Sequence, residues 1–213
     1  MVHTPLLLAF LFSWLLPEAG PEPAAALEVV EPAATVAEVL YEELCLEGEL
    51  KETIFTTCYK RMERKGVNSR IVAIADMTQP STAKRFYIID LEHRELLLRT
   101  YVAHGQGSGE LIPTSFSNRE GSHQTSLGLY RVGLEIVSPK HGPALLLHGL
   151  ERGVNCQAER REVIMHGADY VSDEFIREHG RLGRSWGCPA VSRADMPRML
   201  ELLTDGAALY IHG

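Results

Sequence analysis

Residues 163–191 read VIMHGADYVSDEFIREHGRLGRSWGCPAV, and two chemical residues mark this stretch. His166-Gly167 closes the short apolar run Val163–Met165, whose length and β-branched content fit a buried strand. Cys188 ends the turn Ser185-Trp186-Gly187-Cys188, after a short helix expected near Asp173–Glu178. A cysteine attacks carbonyls as a thiolate, yet a free thiol titrates near pH ~8.5, so a nearby imidazolium is the usual device for generating the nucleophile at neutral pH. A strand-borne histidine and a cysteine on a glycine-flanked turn are able to meet. Gly187 permits a sharp approach, and the consecutive N–H groups of Gly187 and Cys188 can face a developing oxyanion. On spacing alone, a buried structural cysteine with an unrelated histidine stands as an equal alternative.

Outward from this segment, short apolar runs separated by Gly, Pro and Ser recur at Ile71–Ala75, Phe86–Leu91, Leu96–Ala103, Leu129–Val132, Ala144–Leu147 and Ala208–Ile211. This spacing predicts a β-rich body with a second short helix at Met196–Leu203, capped by Asp195 and carrying Pro197 in its first turn. The loop from His104 to Ser126 holds Gly105, Gly107, Gly109, Pro113 and Gly121, more than a tight hairpin needs, and loops of that length are often functional.

Upstream the texture is helical. Val36, Val39, Leu40 and Leu44 recur among glutamates from a Thr35 cap, with Gly48 as the stop. Leu50, Ile54, Phe55, Cys58 and Met62 repeat the pattern, closed by Lys65 and Gly66. The pair predicts a helical hairpin over 27–66, ahead of a body over 67–213. Of the net charge of −7, the hairpin segment carries −4 and the body only −1. Basic residues are scattered singly, so the chain lacks the electrostatic footprint of a nucleic-acid binder.

Leu6–Leu16, LLLAFLFSWLL, is too short to span a bilayer but fits the apolar segment of a secretory signal. Helix-breaking Pro17, Gly20, Pro21 and Pro23 and the small residues Ala24–Ala26 follow, predicting a signal peptide over 1–26 and an exported, periplasmic or cell-envelope protein. The first five residues hold no Lys or Arg, which departs from the usual signal start. Membrane association follows only if this segment is retained. No cysteine follows the apolar run, so a lipoprotein is not supported.

His166-Gly167 followed by Ser185-x-Gly187-Cys188 resembles the signature of L,D-transpeptidases of the YkuD type, where an HG pair precedes S/T-H-G-C by about twenty residues. Tyr101-Val102-Ala103-His104-Gly105, Phe116-Ser117-Asn118, Ser126-Leu127-Gly128-Leu129-Tyr130, Gly149-Leu150-Glu151 and Gly183 to Val191 are similar to the branch of murein L,D-transpeptidase catalytic domain proteins. The resemblance spans roughly residues 70–213. It implies a mixed β-rich (α+β) fold, a YkuD-like β-sandwich with short helices preceded by the helical hairpin. It also implies acyl transfer on peptidoglycan stem peptides, with no cofactor and no metal. Cys188 would attack the carbonyl that joins the third residue to a terminal D-alanine. His166 would take the thiol proton, the Gly167 carbonyl would orient His166, and amides of Gly187 and Cys188 would hold the oxyanion.

Two departures from the family stand out. Trp186 occupies the position where the broader family often has His, and serves either as a stacking wall or in packing. Ala190 stands where the family tends to have Arg, so Arg184 is the candidate for carboxylate binding. His104, through its loop, and Tyr130 are further candidates at the substrate cleft, and Ser185 either bonds near the nucleophile or shapes the turn. Cys45 and Cys58 form a hairpin disulfide or remain two buried thiols, and Cys156 is structural or exposed. No HExxH or similar spacing supports zinc at His104, His148 and His166. The alternatives are an L,D-carboxypeptidase or amide hydrolase with the same residues, and a non-catalytic wall-binding module.

Overall fold

The computed structural model describes Met1, residues 34–203 and residues 206–213. The apolar stretch Leu6–Leu16 and the expected signal cleavage region lie outside the described residues. Helix α1, Val36–Glu43, opens on a reciprocal cap: the Glu38 N–H donates to Thr35 Oγ1 and the Thr35 N–H donates to the Glu38 carboxylate. It ends before Gly48, because Cys45 already takes a positive φ of 50°. Helix α2, Glu52–Lys65, stops at Gly66, whose φ of 62° suits a residue without Cβ.

Eight strands follow: β1 Ile71–Asp76, β2 Phe86–Asp90, β3 Glu95–Thr100, β4 Gly128–Ser138, β5 Gly142–Gly149, β6 Ile164–Ala168, β7 Ala190–Ser192 and β8 Ala208–His212. They form one sheet in the order β3-β2-β1-β8-β4-β5-β6-β7. The C-terminal strand β8 thus lies inside the sheet, parallel to β1 and antiparallel to β4. Beyond β3, Ala103 exchanges backbone hydrogen bonds with Ala190 of β7, at 2.8 and 3.4 Å, so the two ends of the sheet meet. The β-rich body is one continuous sheet, curled and nearly closed. Helix α3, Asp173–His179, connects β6 to the Ser185–Cys188 turn, and α4, Met196–Leu202, joins β7 to β8.

Alternation along the strands divides the core. Ala73, Phe86, Ile88, Val132, Leu147, Met165 and Leu209 face one apolar cluster, while Val72, Ile74, Tyr87, Ile89, Leu129 and Tyr210 face a second. The second cluster is completed by Leu40, Leu44, Leu46, Leu50, Ile54, Phe55, Cys58 and Met62 of the helical hairpin. Double-sided burial explains why the central strands read as unbroken apolar runs. Residues 34–213 consequently form one compact unit, in which the hairpin shares the sheet's core rather than standing apart from it. Arg61 of α2 donates to both carboxylate oxygens of Glu151, at 2.7 and 2.8 Å, and Glu151 Oε2 also accepts from the Leu129 N–H.

Three local expectations differ. Strand β4 runs on to Ser138, because its outer half pairs with β5 through a register shift after Val132. Strand β7 has three residues, too few to show periodicity. Asp195 does not cap α4 with its side chain; its carboxylate accepts instead from Thr100 Oγ1 at 2.6 Å.

Candidate active site

Strands β6 and β7 are parallel neighbours, with His166 opposite Ala190. Ala168 and Ala190 face a third, small apolar cluster with Ala103, whereas Met165 and Val191 face the main core. His166, alternating with Met165, lies on the Ala190 face. Cys188 lies two residues before Ala190, in the bend that leads into β7. The Cys188 thiol lies against the start of β6, with Sγ 3.7 Å from the Glu162 carbonyl oxygen. Glu162 presents that oxygen from a left-handed backbone, φ 54°, rare for a residue with a Cβ.

His166 is almost fully buried, and its Nδ1 lies 3.1 Å from its neighbour Gly167 O. A carbonyl only accepts, so Nδ1 carries the proton and Nε2 keeps a free lone pair. Burial pushes the imidazole down to about 4, against a smaller upward pull from the Gly167 carbonyl, and the charges of His141, Lys140 and Arg193 depress it further. Burial likewise pushes the Cys188 thiol up, partly offset by a backbone hydrogen bond and by Arg161 and Lys140. At neutral pH the pair therefore rests as thiol and imidazole, not as the thiolate–imidazolium pair that the sequence alone suggests.

The turn carrying Cys188 is braced by Ser185. Its Oγ accepts from the Gly187 N–H at 3.0 Å and donates to the Cys188 carbonyl at 2.6 Å. The Gly187 amide is thus already engaged, and of the two amides expected at an oxyanion the Cys188 N–H is the one this hydroxyl does not hold. Gly187 has a φ of 122°, and a Cβ there would lie 2.8 Å from Gln124 O and 3.0 Å from an Arg161 nitrogen. Glycine is required on both counts. The turn is also tied to the loop after β3: the Ser185 N–H donates to His104 O, and the Gln106 N–H to Ser185 O.

Other residues singled out in the sequence take different places. His104 is fully buried; Arg85 donates to its Nδ1 at 2.8 Å, so Nε2–H donates to Gly109 O at 3.2 Å, and burial holds it at about 4. It orders the loop from within. Tyr130 is fully buried, its hydroxyl bonded to the Ser126 side chain and carbonyl. Arg184 donates to Gly109 O and to Glu110, so the proposed carboxylate ligand already holds a carboxylate. Trp186, at 64% exposure, is a platform rather than a packed residue: it stacks on His123 at 4.9 Å. All four cysteines are free, with Cys58 buried in the hairpin core and Cys45 and Cys156 exposed.

Sequence reading missed three residues that the fold brings here. Arg161 donates to Ser117 O, Ser126 Oγ and Gln124 O, fastening the long loop beside the nucleophile. His141, in the β4–β5 turn, stacks on His166 with ring centroids 3.8 Å apart. Its neighbour Lys140 places Nζ 4.5 Å over the Trp186 ring. Each sits in a turn without periodicity, so no local pattern marks it. Among the described residues, no three His, Cys, Asp or Glu side chains converge as metal ligands do.

A thiol on a glycine turn, leading into the strand next to a carbonyl-oriented imidazole, has the equipment for nucleophilic acyl transfer. Residues 47–212 match the family described as L,D-transpeptidase catalytic domain, and the chain belongs to that family. No match is found among curated proteins. Among solved structures, the chain is similar to an L,D-transpeptidase from Mycobacterium smegmatis, at 13% identity over 68% of this chain and 60% of that one, with a TM-score of 0.42. It is also similar to an L,D-transpeptidase from Stackebrandtia nassauensis, at 13% identity over 82% and 89%, with a TM-score of 0.42. The helical cell shape determining protein Pgp2 from Campylobacter jejuni matches at 14% identity over 68% and 47%, with a TM-score of 0.45. The chain thus spans about three fifths of the first of these and under half of the last.

Proposed function

We propose that the chain is an exported cysteine acyltransferase acting on peptidoglycan stem peptides. In the first half-reaction, Cys188 Sγ bonds to the carbonyl carbon before the terminal D-alanine, and the thiol proton passes to His166 Nε2. The amide C–N bond then breaks, and the same proton leaves with the D-alanine amine. A thioester remains. In the second half-reaction His166 deprotonates the amine of another stem, which takes the acyl group and frees the thiol. In this reading the Cys188 N–H holds the oxyanion in both. Gly167 O fixes the imidazole, the role a carboxylate plays in other triads.

One observation carries this reading. The Nδ1 contact to Gly167 O leaves the Nε2 lone pair of a neutral imidazole available on β6, where the His166 N–H donates to Pro189 O, next in the chain to Cys188, at 3.4 Å. A buried structural histidine would have both ring nitrogens satisfied, as His104 does. The apolar run Leu6–Leu16 supports export to the compartment that holds the substrate.

Mass spectrometry after exposure to a carbapenem, an acylating agent for such nucleophiles, tests the site. We expect one adduct, on Cys188, lost in Cys188→Ala. No adduct, or one that survives that substitution, overturns the assignment. With a tetrapeptide stem and an amine acceptor, cross-linked product marks transpeptidation, whereas release of D-alanine without it marks hydrolysis at the same site.

A further inference from the structure

Lys140 stands out among the cations whose charge reaches Cys188 or His166. Arg161 is engaged by loop oxygens and Arg193 pairs with Asp169. Among the described residues Lys140 has no carboxylate partner; its ammonium lies over the exposed face of Trp186, 4.5 Å from the ring centroid. Its chain neighbour His141 stacks on His166, which fixes the tip of the β4–β5 hairpin on the His166 side of the site. The charge of Lys140 is felt at both Cys188 and His166, favouring the thiolate of one and disfavouring protonation of the other.

The chemistry then specifies what lies there. His166 must hand its proton to the departing amine, so the departing residue occupies the His166 side. In a C-terminal residue the carboxylate is bonded to the same Cα as that amine. Resting on the acyltransferase reading above, we infer that Lys140, backed by Trp186, binds the α-carboxylate of the residue expelled from the acyl donor. The site is then selective for donors whose scissile bond precedes a free C-terminus. The ammonium donates to the carboxylate while the indole face shields it from water, conditions that strengthen a charge-assisted hydrogen bond. Neutral Trp186 at this position leaves the ammonium free of a second cation, which the imidazole common in the family could supply.

Two acyl donors differing only at the C-terminus, a tetrapeptide stem and its C-terminal carboxamide, separate this role from a structural one. The rate of Cys188 acylation by each is followed by mass spectrometry in the wild-type chain, Lys140→Met and Lys140→Arg. We expect the wild type to prefer the free acid about ten-fold or more, the Met variant to lose that preference beyond any loss of Cys188 reactivity common to both donors, and the Arg variant to retain it. An equal loss on both donors, or an undiminished preference in Lys140→Met, overturns the subsite but not the nucleophile. Failure of both donors to acylate the wild-type chain overturns the acyltransferase reading and the subsite with it.

Discussion

The imidazoles of His141 and His166 stack at a centroid separation of 3.8 Å and an interplanar angle of 26°, although the first belongs to a hairpin turn and the second to a buried strand. The contact covers the ring that the Gly167 carbonyl orients, and burial keeps both imidazoles below their ordinary range. Removing His141 admits water to His166 and deletes a neighbouring charge, so both changes raise the His166 pKa. We expect His141→Ala to slow Cys188 acylation about ten-fold and to move the acid limb of its pH profile upward from near 4. His141→Phe, which keeps a stacking ring, retains most of the rate. Acylation rates between pH 4 and 8 decide; an unshifted limb in the Ala variant would remove His141 from the positioning of His166.

Ser185 provides the second test. Its hydroxyl bridges the Gly187 amide and the Cys188 carbonyl, closing the turn that presents the thiol. Ser185→Ala deletes both hydrogen bonds in a buried setting, costing about 1–2 kcal/mol of stability. The turn can then rotate the Cys188 amide and sulfur away from their mutual geometry, and misplacement of this kind lowers rates by on the order of 10- to 100-fold. Acylation measured beside denaturant unfolding distinguishes the two: a rate loss no larger than the stability loss accounts for would make Ser185 a turn residue only.

Much of this arrangement was legible before the fold. The Thr35–Glu38 cap, the Gly66 stop and the apolar runs of seven strands are local signals, written in residues within a turn or a pleat of one another. Spacing alone left the pairing of His166-Gly167 with Cys188 level with an unrelated buried cysteine, and the resemblance to the transpeptidase signature is what singled it out. Lys140, His141 and Arg161 were not legible, because they reach the site only through the register of β4 with β5 and the path of the long loop. The amphipathic hairpin was recognisable, but its stripe does not name its partner. That partner is the outer face of β1, β2, β4 and β8. The resting protonation states escaped for a similar reason, since residue spacing carries no measure of desolvation.

The docking of that hairpin rests on more than its apolar stripe. Arg61 and Glu151 are 90 positions apart, and the Glu151 side chain is only 11% exposed against 28% for Arg61. Arg61→Met strands a largely buried carboxylate with the Leu129 amide and is expected to cost about 2 kcal/mol, less than a fully buried pair because Arg61 remains partly wet. Arg61→Met with Glu151→Gln removes the stranded charge and recovers part of that loss. Urea unfolding of the three variants forms the measurement; a double variant no more stable than the single one shows that the pair contributes through geometry alone.

Acid lability follows from the two buried histidines held neutral. His104 and His166 titrate at about 4 when folded, against about 6.5 when exposed. Between those values the unfolded chain binds more protons than the native one, so stability rises with pH across that window and is lost as pH falls through it. Each histidine contributes on the order of 3 kcal/mol that is fully present above the unfolded value and gone below the folded one. The exposed carboxylates held low by ion pairs act at lower pH, so the steepest loss between pH 6.5 and 4 belongs to these imidazoles, joined by His141 and His212, which burial also holds low. Unfolding free energies at half-unit steps of pH should show this slope, and His166→Gln should reduce it by up to one proton. A slope unchanged by that substitution means that His166 is not buried as a neutral base.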